Sequence, residues 1–201
     1  PEGDVWSHVL RMLGFFSGGF GVEKDQRLAW AILLHDVGKA ETRSIDDRGV
    51  HFYGHAQRSA EIAEKILKRL KFATADMESV LALIRHHMVF MSVKDMRRHH
   101  LKRFLRMPEF DLHLELHRLD CLGSFGMFDA YTFCRDQLAV LSREELHPPR
   151  LLTGYDLQEM GFRPGPLFKE ILDALETAQL EGELATEADA RRMVLDRWRP
   201  H

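Results

Sequence analysis

The stretch Arg27-Leu28-Ala29-Trp30-Ala31-Ile32-Leu33-Leu34-His35-Asp36-Val37-Gly38-Lys39 decides how the chain folds. From Leu28 to Leu34 it is apolar almost all round, which marks a helix buried on every side at the centre of a helical domain. Gly38 stops that helix, as glycine does just past a helix end. His35 and Asp36, both able to ligate a metal, therefore stand at the end of a buried helix, with Lys39 following. Local chemistry leaves two readings of the pair. Its donors converge on an ion lying between them, or His35 meets the helix dipole while Asp36 caps a loop.

Outward from this segment the pattern stays helical. Val5–Leu13 is a short apolar-periodic helix. Ile45, the Asp46-Asp47-Arg48-Gly49 turn signal and Val50-His51-Phe52-Tyr53 predict a small hairpin or ordered loop within 43–53. Helices are expected over Ala56–Leu70, Asp76–His87, Asp95–Leu105, Phe110–Leu122 and Tyr131–Leu146. His147-Pro148-Pro149-Arg150 breaks the run. Beyond it, Thr153 caps a short helix, Pro166 opens a longer one, and Thr186 begins a final one with the look of a capping box in which Asp189 stands for the usual Glu. The expectation is an all-α chain: a helical bundle at 1–146 with a short hairpin or loop insertion, and a helical C-terminal tail at 147–201.

The 201 residues, 45% of them hydrophobic, suffice for one substantial core and a small appendage. With 28 basic and 31 acidic side chains the chain is neither a polycation nor a disordered acidic segment. No apolar run reaches the roughly 20 residues that a membrane helix needs. Two cysteines are too few for a disulfide framework, and no secretory signal opens the chain, so a cytoplasmic setting without membrane contact is expected. The first residue is Pro, so a processed or excised chain is expected. There are 12 histidines, which hints at metal chemistry.

Further candidate ligands are dispersed, as a site built from the core requires. They are His8 in the first helix, His55 at the start of a helix with Arg58 one turn on, His86 and His87 ending another, and Asp120 ending the helix from Phe110. A lone helical histidine is equally a cap or a surface residue.

Together these residues resemble the HD-domain metal-dependent phosphohydrolases, whose pattern is a His, a His-Asp pair and a distant Asp, often with two further His between. The closer resemblance is to the HD domain and tail of bacterial tRNA nucleotidyltransferases (CCA-adding enzymes) and related poly(A) polymerases. It is carried by Gly3-Asp4-Val5-Trp6-Ser7-His8, His35-Asp36-Val37-Gly38-Lys39, His51-Phe52-Tyr53-Gly54-His55, Leu101-Lys102-Arg103-Phe104-Leu105, Leu116-His117-Arg118-Leu119-Asp120-Cys121-Leu122 and Leu151-Leu152-Thr153-Gly154-Tyr155-Asp156-Leu157 with Pro164-Gly165-Pro166. His86-His87-Met88 departs from the Asn-His-Met of that branch, so His87 is the matched ligand. The Gly-rich turn and Asp-x-Asp pair of a nucleotidyltransferase are not in these residues, so they are not expected to add nucleotides.

The resemblance implies a divalent ion (Mn, Fe, Ni, Co, Zn or Mg), one or two per chain, since imidazole and carboxylate ligands do not choose among these. His8, His35, Asp36 and Asp120 would hold one ion, and Asp36 would bridge to a second held by His55 and His87. Asp36 and Lys39 would be the catalytic pair, Lys39 reaching a substrate phosphate as a point charge after a flexible Gly38. Arg58 is either a bidentate phosphate contact or part of a solvated helix face. The implied activity is a phosphomonoesterase or phosphodiesterase acting on nucleotides or RNA ends, such as 2′,3′-cyclic phosphates.

The competing reading is a non-catalytic tRNA-binding or homodimerising body. Lys94, Arg97, Arg98, Lys102, Arg103 and Arg106 against Asp95 would track a tRNA backbone, or simply form a solvated face. His113 and His117 share a stripe with Asp120 and are expected to support ligands or lie on the surface. Cys121 and Cys134 are read as packing, and Asp46 and Asp47 as turn residues.

Overall fold

The computed structural model describes residues 4–17, 25–124 and 126–199. The architecture is all-α with one two-stranded hairpin, as the periodicity predicts. Two compact units emerge.

The first unit comprises 1–94 and 108–136. Helix α1 (Val5–Ser17) starts where the Asp4 carboxylate accepts the Ser7 N–H at 2.8 Å. Helix α2 (Gln26–Leu34) is capped by Asp25, which accepts from the Arg27 N–H, also at 2.8 Å. A short helix α3 (Lys39–Thr42) leads into strands β1 (Ser44–Asp46) and β2 (Gly49–His51), paired antiparallel with Ile45 opposite Val50. Then come α4 (His55–Arg69), α5 (Thr74–His86), a 3-10 helix over His87–Asp95, and α7 (Phe110–Gly123), after a helix α6 (Arg98–Leu105) that belongs to the other unit. Leu28, Ala31 and Ile32 of α2 are fully buried among Met12, Ala60, Ala63, Leu67, Val80, Ile84 and Leu119. Helices α1, α4, α5 and α7 thus pack on the central helix, while Ala29, Trp30 and Leu33 leave one face half-buried, short of the burial on every side that the sequence predicts.

The second unit comprises 95–107 and 137–201. Here Arg103 and Arg106 hold opposite oxygens of Glu176 at 2.7 and 2.6 Å, joining α6 to α11 (Pro166–Glu181). Leu152, Leu157, Phe162, Ile171, Leu175, Ala190 and Val194 form its core. By this division α6 groups with α11, on which it packs, and with the residues from 137 on.

Three local details differ from the sequence expectation. The helix expected over Tyr131–Leu146 is two: α8 (Asp129–Val140) and α9 (Arg143–Leu146). Ser142 divides them because its hydroxyl and the Glu145 carboxylate form a reciprocal capping box at 3.1 and 3.0 Å. Residue 95 lies in the 3-10 turn, so α6 starts at Arg98. Helix α2 already ends at Leu34, four residues before the Gly38 read as its stop, and Gly38 has a right-handed φ of −72°. By contrast, helix α10 (Gly154–Glu159) starts as expected, with Thr153 N–H and Oγ both donating to Asp156 at 2.7 and 2.6 Å. Helix α12 (Glu187–Arg197) starts with Asp189 N–H donating to the Thr186 hydroxyl.

Candidate metal centre

All six sequence-predicted ligands come together, as two adjacent triads. His8, His35 and Asp120 form one; Asp36, His55 and His87 form the other, with donor atoms in each triad within 4.8 Å of one another. His8 Nε2 lies 3.0 Å from Asp120 Oδ1, and His35 Nε2 lies 3.4 Å from Asp36 Oδ2. His55 Nε2 and His87 Nε2 are 3.3 and 3.8 Å from Asp36 Oδ1, and 3.1 Å from each other. The rings of His8 and His87 stand 5.6 and 5.1 Å from that of His35, which links the two triads. Every one of these side chains except Asp120 is buried.

Local backbone geometry sets which nitrogen each ring offers. His35 Nδ1 faces the Ile32 carbonyl at 2.9 Å, His55 Nδ1 the Phe52 carbonyl at 2.9 Å, and His87 Nδ1 the Ile84 carbonyl at 2.7 Å. A carbonyl only accepts, so each Nδ1 carries the hydrogen, and in the neutral ring each Nε2 presents a lone pair to the centre. This is the orientation found at metal sites, where the outer ring nitrogen donates to a carbonyl. The helices bring it about: all three carbonyls lie three residues before their histidine, at the end of α2, at the turn into α4, and at the end of α5. The winding changes from α to 3-10 at His87. His86 is anchored to the Ala82 carbonyl at 2.8 Å and faces His113 instead.

The donor set calls for a cation. Two lone pairs, from His55 and His87, face each other at 3.1 Å. Two ligands about 2.1 Å from one ion and about 90° apart are about 3.0 Å from each other. Asp36 Oδ1 is buried beside them with no hydrogen-bond partner among the described residues, an arrangement that is costly unless a positive charge satisfies it. Protons do not fill this role readily. Burial above all pushes His87 down to about 4, so its ring is neutral at pH 7. Burial pushes the Asp36 carboxyl up, but His55, His35 and Lys39 outweigh it and hold the group well below the usual carboxylate range. In the first triad the Asp120 hydrogen bond, opposed by burial, raises His8. Asp120 is lowered because His8 and His35 outweigh its own burial. The residues therefore fit one or two divalent ions.

Lys39 Nζ contacts Asp36 Oδ2 at 2.7 Å and lies 5.7 Å from the centre of the Phe52 ring. Arg58 turns elsewhere, with its guanidinium held by Glu41 and Glu61 at 2.6 and 2.7 Å. His113 and His117 do not lie on the surface. Both are buried, His117 stacked on Phe90 at 4.3 Å and 3.7 Å from the Cys121 sulfur.

Two glycines position the ligands. A Cβ on Gly38 would lie 2.6 Å from Ser59 N and 2.7 Å from the His55 carbonyl oxygen. A Cβ on Gly123 would lie 2.8 Å from Met12 Cγ and 3.1 Å from the His8 ring. Gly38 therefore serves close approach of the His35-Asp36 turn to α4, and not the flexibility expected of it. Gly123, one turn after Asp120, lets α7 approach α1 at His8. Its spacing from Asp120 is the only sequence trace of that role.

The HD domain profile matches residues 5–119, ending one residue before Asp120. An A-adding tRNA nucleotidyltransferase of Deinococcus radiodurans is 37% identical over 186 residues, covering 88% of this chain and 42% of the relative. A CC-adding tRNA nucleotidyltransferase of Thermus thermophilus is 34% identical, covering 95% of this chain and 44% of the relative. A multifunctional CCA protein of Azoarcus sp. is 32% identical over 133 residues. The chain thus spans less than half the length of the first two relatives. No solved structure matches it. Among the described residues no helix is long and apolar enough to cross a membrane. With the profile spanning more than half its residues, and the His, His-Asp, His and His pattern assembled with Asp120 in space, the chain belongs to the HD-domain family.

Proposed function

We propose that this chain is a metal-dependent phosphohydrolase, acting on phosphate esters of nucleotides or RNA ends. The observation that carries it is the convergence of three Nε2 lone pairs, whose Nδ1 hydrogens are committed to carbonyls, on the Asp36 carboxylate: those of His55 and His87 on its unpartnered Oδ1 and that of His35 on Oδ2. His8, His35, Asp36 and Asp120 would hold one divalent ion, and Asp36, His55 and His87 would hold a second. Such ions supply Lewis acidity toward water and toward a phosphoryl oxygen.

The chain's own residues do the rest. The carbonyls of Ile32, Phe52 and Ile84 keep the imidazoles in the ligating tautomer. Lys39 places a positive charge beside Asp36, where a phosphate loses its hydration and needs compensation. Arg58 reaches a phosphate only by leaving Glu41 and Glu61, so it is secondary to Lys39. In the reaction, water forms a bond from oxygen to phosphorus, the ester P–O bond breaks, and the water's proton ends on the departing oxygen. The protein as isolated is expected to contain one or two metal ions by elemental analysis. A cyclic nucleotide phosphodiester should be turned over, and both chelator and Asp36→Ala should abolish this. Metal-loaded protein that hydrolyses no phosphate ester overturns the proposal.

A second reading is a tRNA-binding or dimerising body, and its tRNA-binding half is favoured by the relatives, which are tRNA nucleotidyltransferases. The basic run expected to support it is largely neutralised: Lys94 pairs with Asp129, Arg98 with Glu145, and Arg103 and Arg106 with Glu176. Lys102 is buried, and its pKa is lowered by that burial. This reading requires salt-sensitive tRNA binding that survives Asp36→Ala and weakens when Arg97 and Arg98 are neutralised.

A further inference from the structure

The two oxygens of Asp36 are held unequally. Oδ1 faces His55 and His87 at 3.3 and 3.8 Å and has no hydrogen-bond partner among the described residues. Oδ2 faces His35 at 3.4 Å and accepts from the Lys39 ammonium at 2.7 Å. One oxygen therefore turns to the second triad, and the other turns to His35 of the first triad and carries the ammonium. An i, i+3 ion pair on a helix surface would need no explanation. This pair is not on a surface: the Asp36 side chain is 4% exposed and that of Lys39 22%. The ammonium also lies 5.7 Å from the centre of the half-buried Phe52 ring.

The backbone between the two charges is fixed, and the lysine stem is not. Lys39 N–H donates to the Asp36 carbonyl at 3.0 Å, and Gly38 N–H to Ser59 Oγ at 2.9 Å. The stem is a flexible four-carbon chain, so the ammonium can leave the carboxylate while the turn stays in place. The face of Phe52 attracts a cation and keeps it beside the site. An ion held by His8, His35 and Asp120 together with Asp36 uses the oxygen turned to His35, and that is the oxygen the ammonium holds. Two cations on one buried carboxylate oxygen repel each other with little water between to screen them. Of the two, the ammonium is the one with somewhere to go.

We propose that Lys39 is a displaceable counter-cation: it neutralises Asp36 until the ion of the first triad arrives, yields Oδ2 to that ion, and is thereby freed to meet a substrate phosphate. Metal binding at His8, His35 and Asp120 is then coupled to phosphate binding through one side chain. An ion at His55 and His87 uses Oδ1 and displaces nothing. This rests on the hydrolase reading above and adds an order to it, the first-triad ion before the phosphate.

The test is calorimetric titration of the full chain, treated with chelator, with Mn²⁺ at one fixed pH. His87→Ala leaves the first triad intact and His8→Ala leaves the second; each is compared with and without Lys39→Met. In the His87→Ala chain, Lys39→Met should tighten Mn²⁺ binding by about 10-fold, the lower end for a charge-assisted hydrogen bond because the ammonium is partly exposed. In the His8→Ala chain the gain should stay within about 3-fold, from lost repulsion alone. Lys39→Gln keeps a neutral donor to Oδ2 and should fall between, and it replaces the Met variant if that one does not fold. Equal tightening in both backgrounds, or none in the His87→Ala chain, overturns the proposal, since the pair then acts as a diffuse charge or a structural contact. With both triads intact, Lys39→Met should weaken binding of inorganic phosphate by about 10-fold in Mn²⁺-loaded protein and hardly at all in chelated protein. The same loss with and without Mn²⁺ also overturns it, because the lysine would then reach phosphate without being displaced. These binding effects without turnover of a cyclic nucleotide phosphodiester overturn the hydrolase reading and leave the displaceable cation standing. Turnover with Mn²⁺ binding indifferent to Lys39 does the reverse.

Discussion

Gly38→Ala isolates a single steric cause. At φ −72° and ψ −14° the backbone accepts alanine, and in an unconstrained place the exchange would stabilise by about 0.4–1 kcal/mol through the unfolded chain. Here the new methyl would lie 2.6 Å from Ser59 N, 2.7 Å from the His55 carbonyl oxygen and 2.9 Å from Ser59 Oγ. Favourable contacts begin at about 3.5 Å, so α4 must retreat by nearly that shortfall. Overpacking of this kind costs about 1–3 kcal/mol. The retreat also stretches the 2.9 Å hydrogen bond from Gly38 N–H to Ser59 Oγ, another 0.5–1.5 kcal/mol or so. The steric penalties win, leaving a net loss of about 1–3 kcal/mol. Because His55 opens α4, the same movement pulls one ligand from the Asp36–His55–His87 triad and leaves His8, His35 and Asp120, which α4 does not carry. Urea unfolding of metal-free protein and metal content by elemental analysis therefore read two separate consequences. Stability should fall with unchanged m-value, and the metal held by the second triad should be lost first. Ser59→Ala removes the hydrogen bond without adding a methyl, so it should cost only about 1 kcal/mol and keep both triads. A Gly38→Ala protein with wild-type stability and full metal content would refute close packing as the reason for this glycine.

Other outcomes follow from the same geometry. His8→Ala should remove metal from the first triad alone, whereas Asp36→Ala should deplete both; elemental analysis of each variant decides, and equal metal loss in the two variants would deny that the triads are distinct. Burial, with the His86 charge adding to it, lowers His113 from 6.5 to about 4. Between those pH values the unfolded chain binds more protons than the folded one, so the stability His113 contributes is present above 6.5 and lost as pH falls toward 4. The loss is about 3 kcal/mol by pH 4, and His113→Phe should flatten that part of the pH dependence in metal-free protein; an unchanged slope would contradict a buried neutral ring. Glu176→Ala removes the shared carboxylate from Arg103 and Arg106, but all three side chains are partly exposed and both arginines keep other partners, so a loss of only about 1 kcal/mol is expected from urea unfolding, smaller at high salt.

The parts of the fold legible in sequence are those set by local patterns with one solution. The apolar run Leu28–Leu34 reads as a central buried helix, and Leu28, Ala31, Ile32 and Leu34 are buried, whereas Ala29, Trp30 and Leu33 form a face that is only half-buried. Thr153, Pro166 and Thr186 start helices because capping and a fixed φ act within one turn. The grouping of α6 with α11 was not legible, since it depends on Arg103 and Arg106 meeting a glutamate some 70 residues away. Nor was the break at Ser142, because a hydroxyl that caps one helix is also tolerated inside another, and only the reciprocal Glu145 contact decides.

At the candidate metal centre the legible part was composition. Six dispersed His and Asp residues matched a spacing pattern, and the fold brings them into two triads. What sequence could not supply was the state of each ligand. His87 and not His86 enters the site: neighbouring helical side chains diverge by about 100°, and one ring is held by the Ile84 carbonyl, the other by that of Ala82. Both histidines have the same chemistry and adjacent positions, yet one presents a bare nitrogen to Asp36 and the other an edge to His113. The same holds for the two glycines. In sequence Gly38 is a helix stop and Gly123 is unremarked; in space each marks where a ligand-bearing helix must come closer than a Cβ allows. Ligand identity is thus written in side chains, whereas ligand geometry is written in backbone carbonyls and missing methyls, which no residue pattern displays.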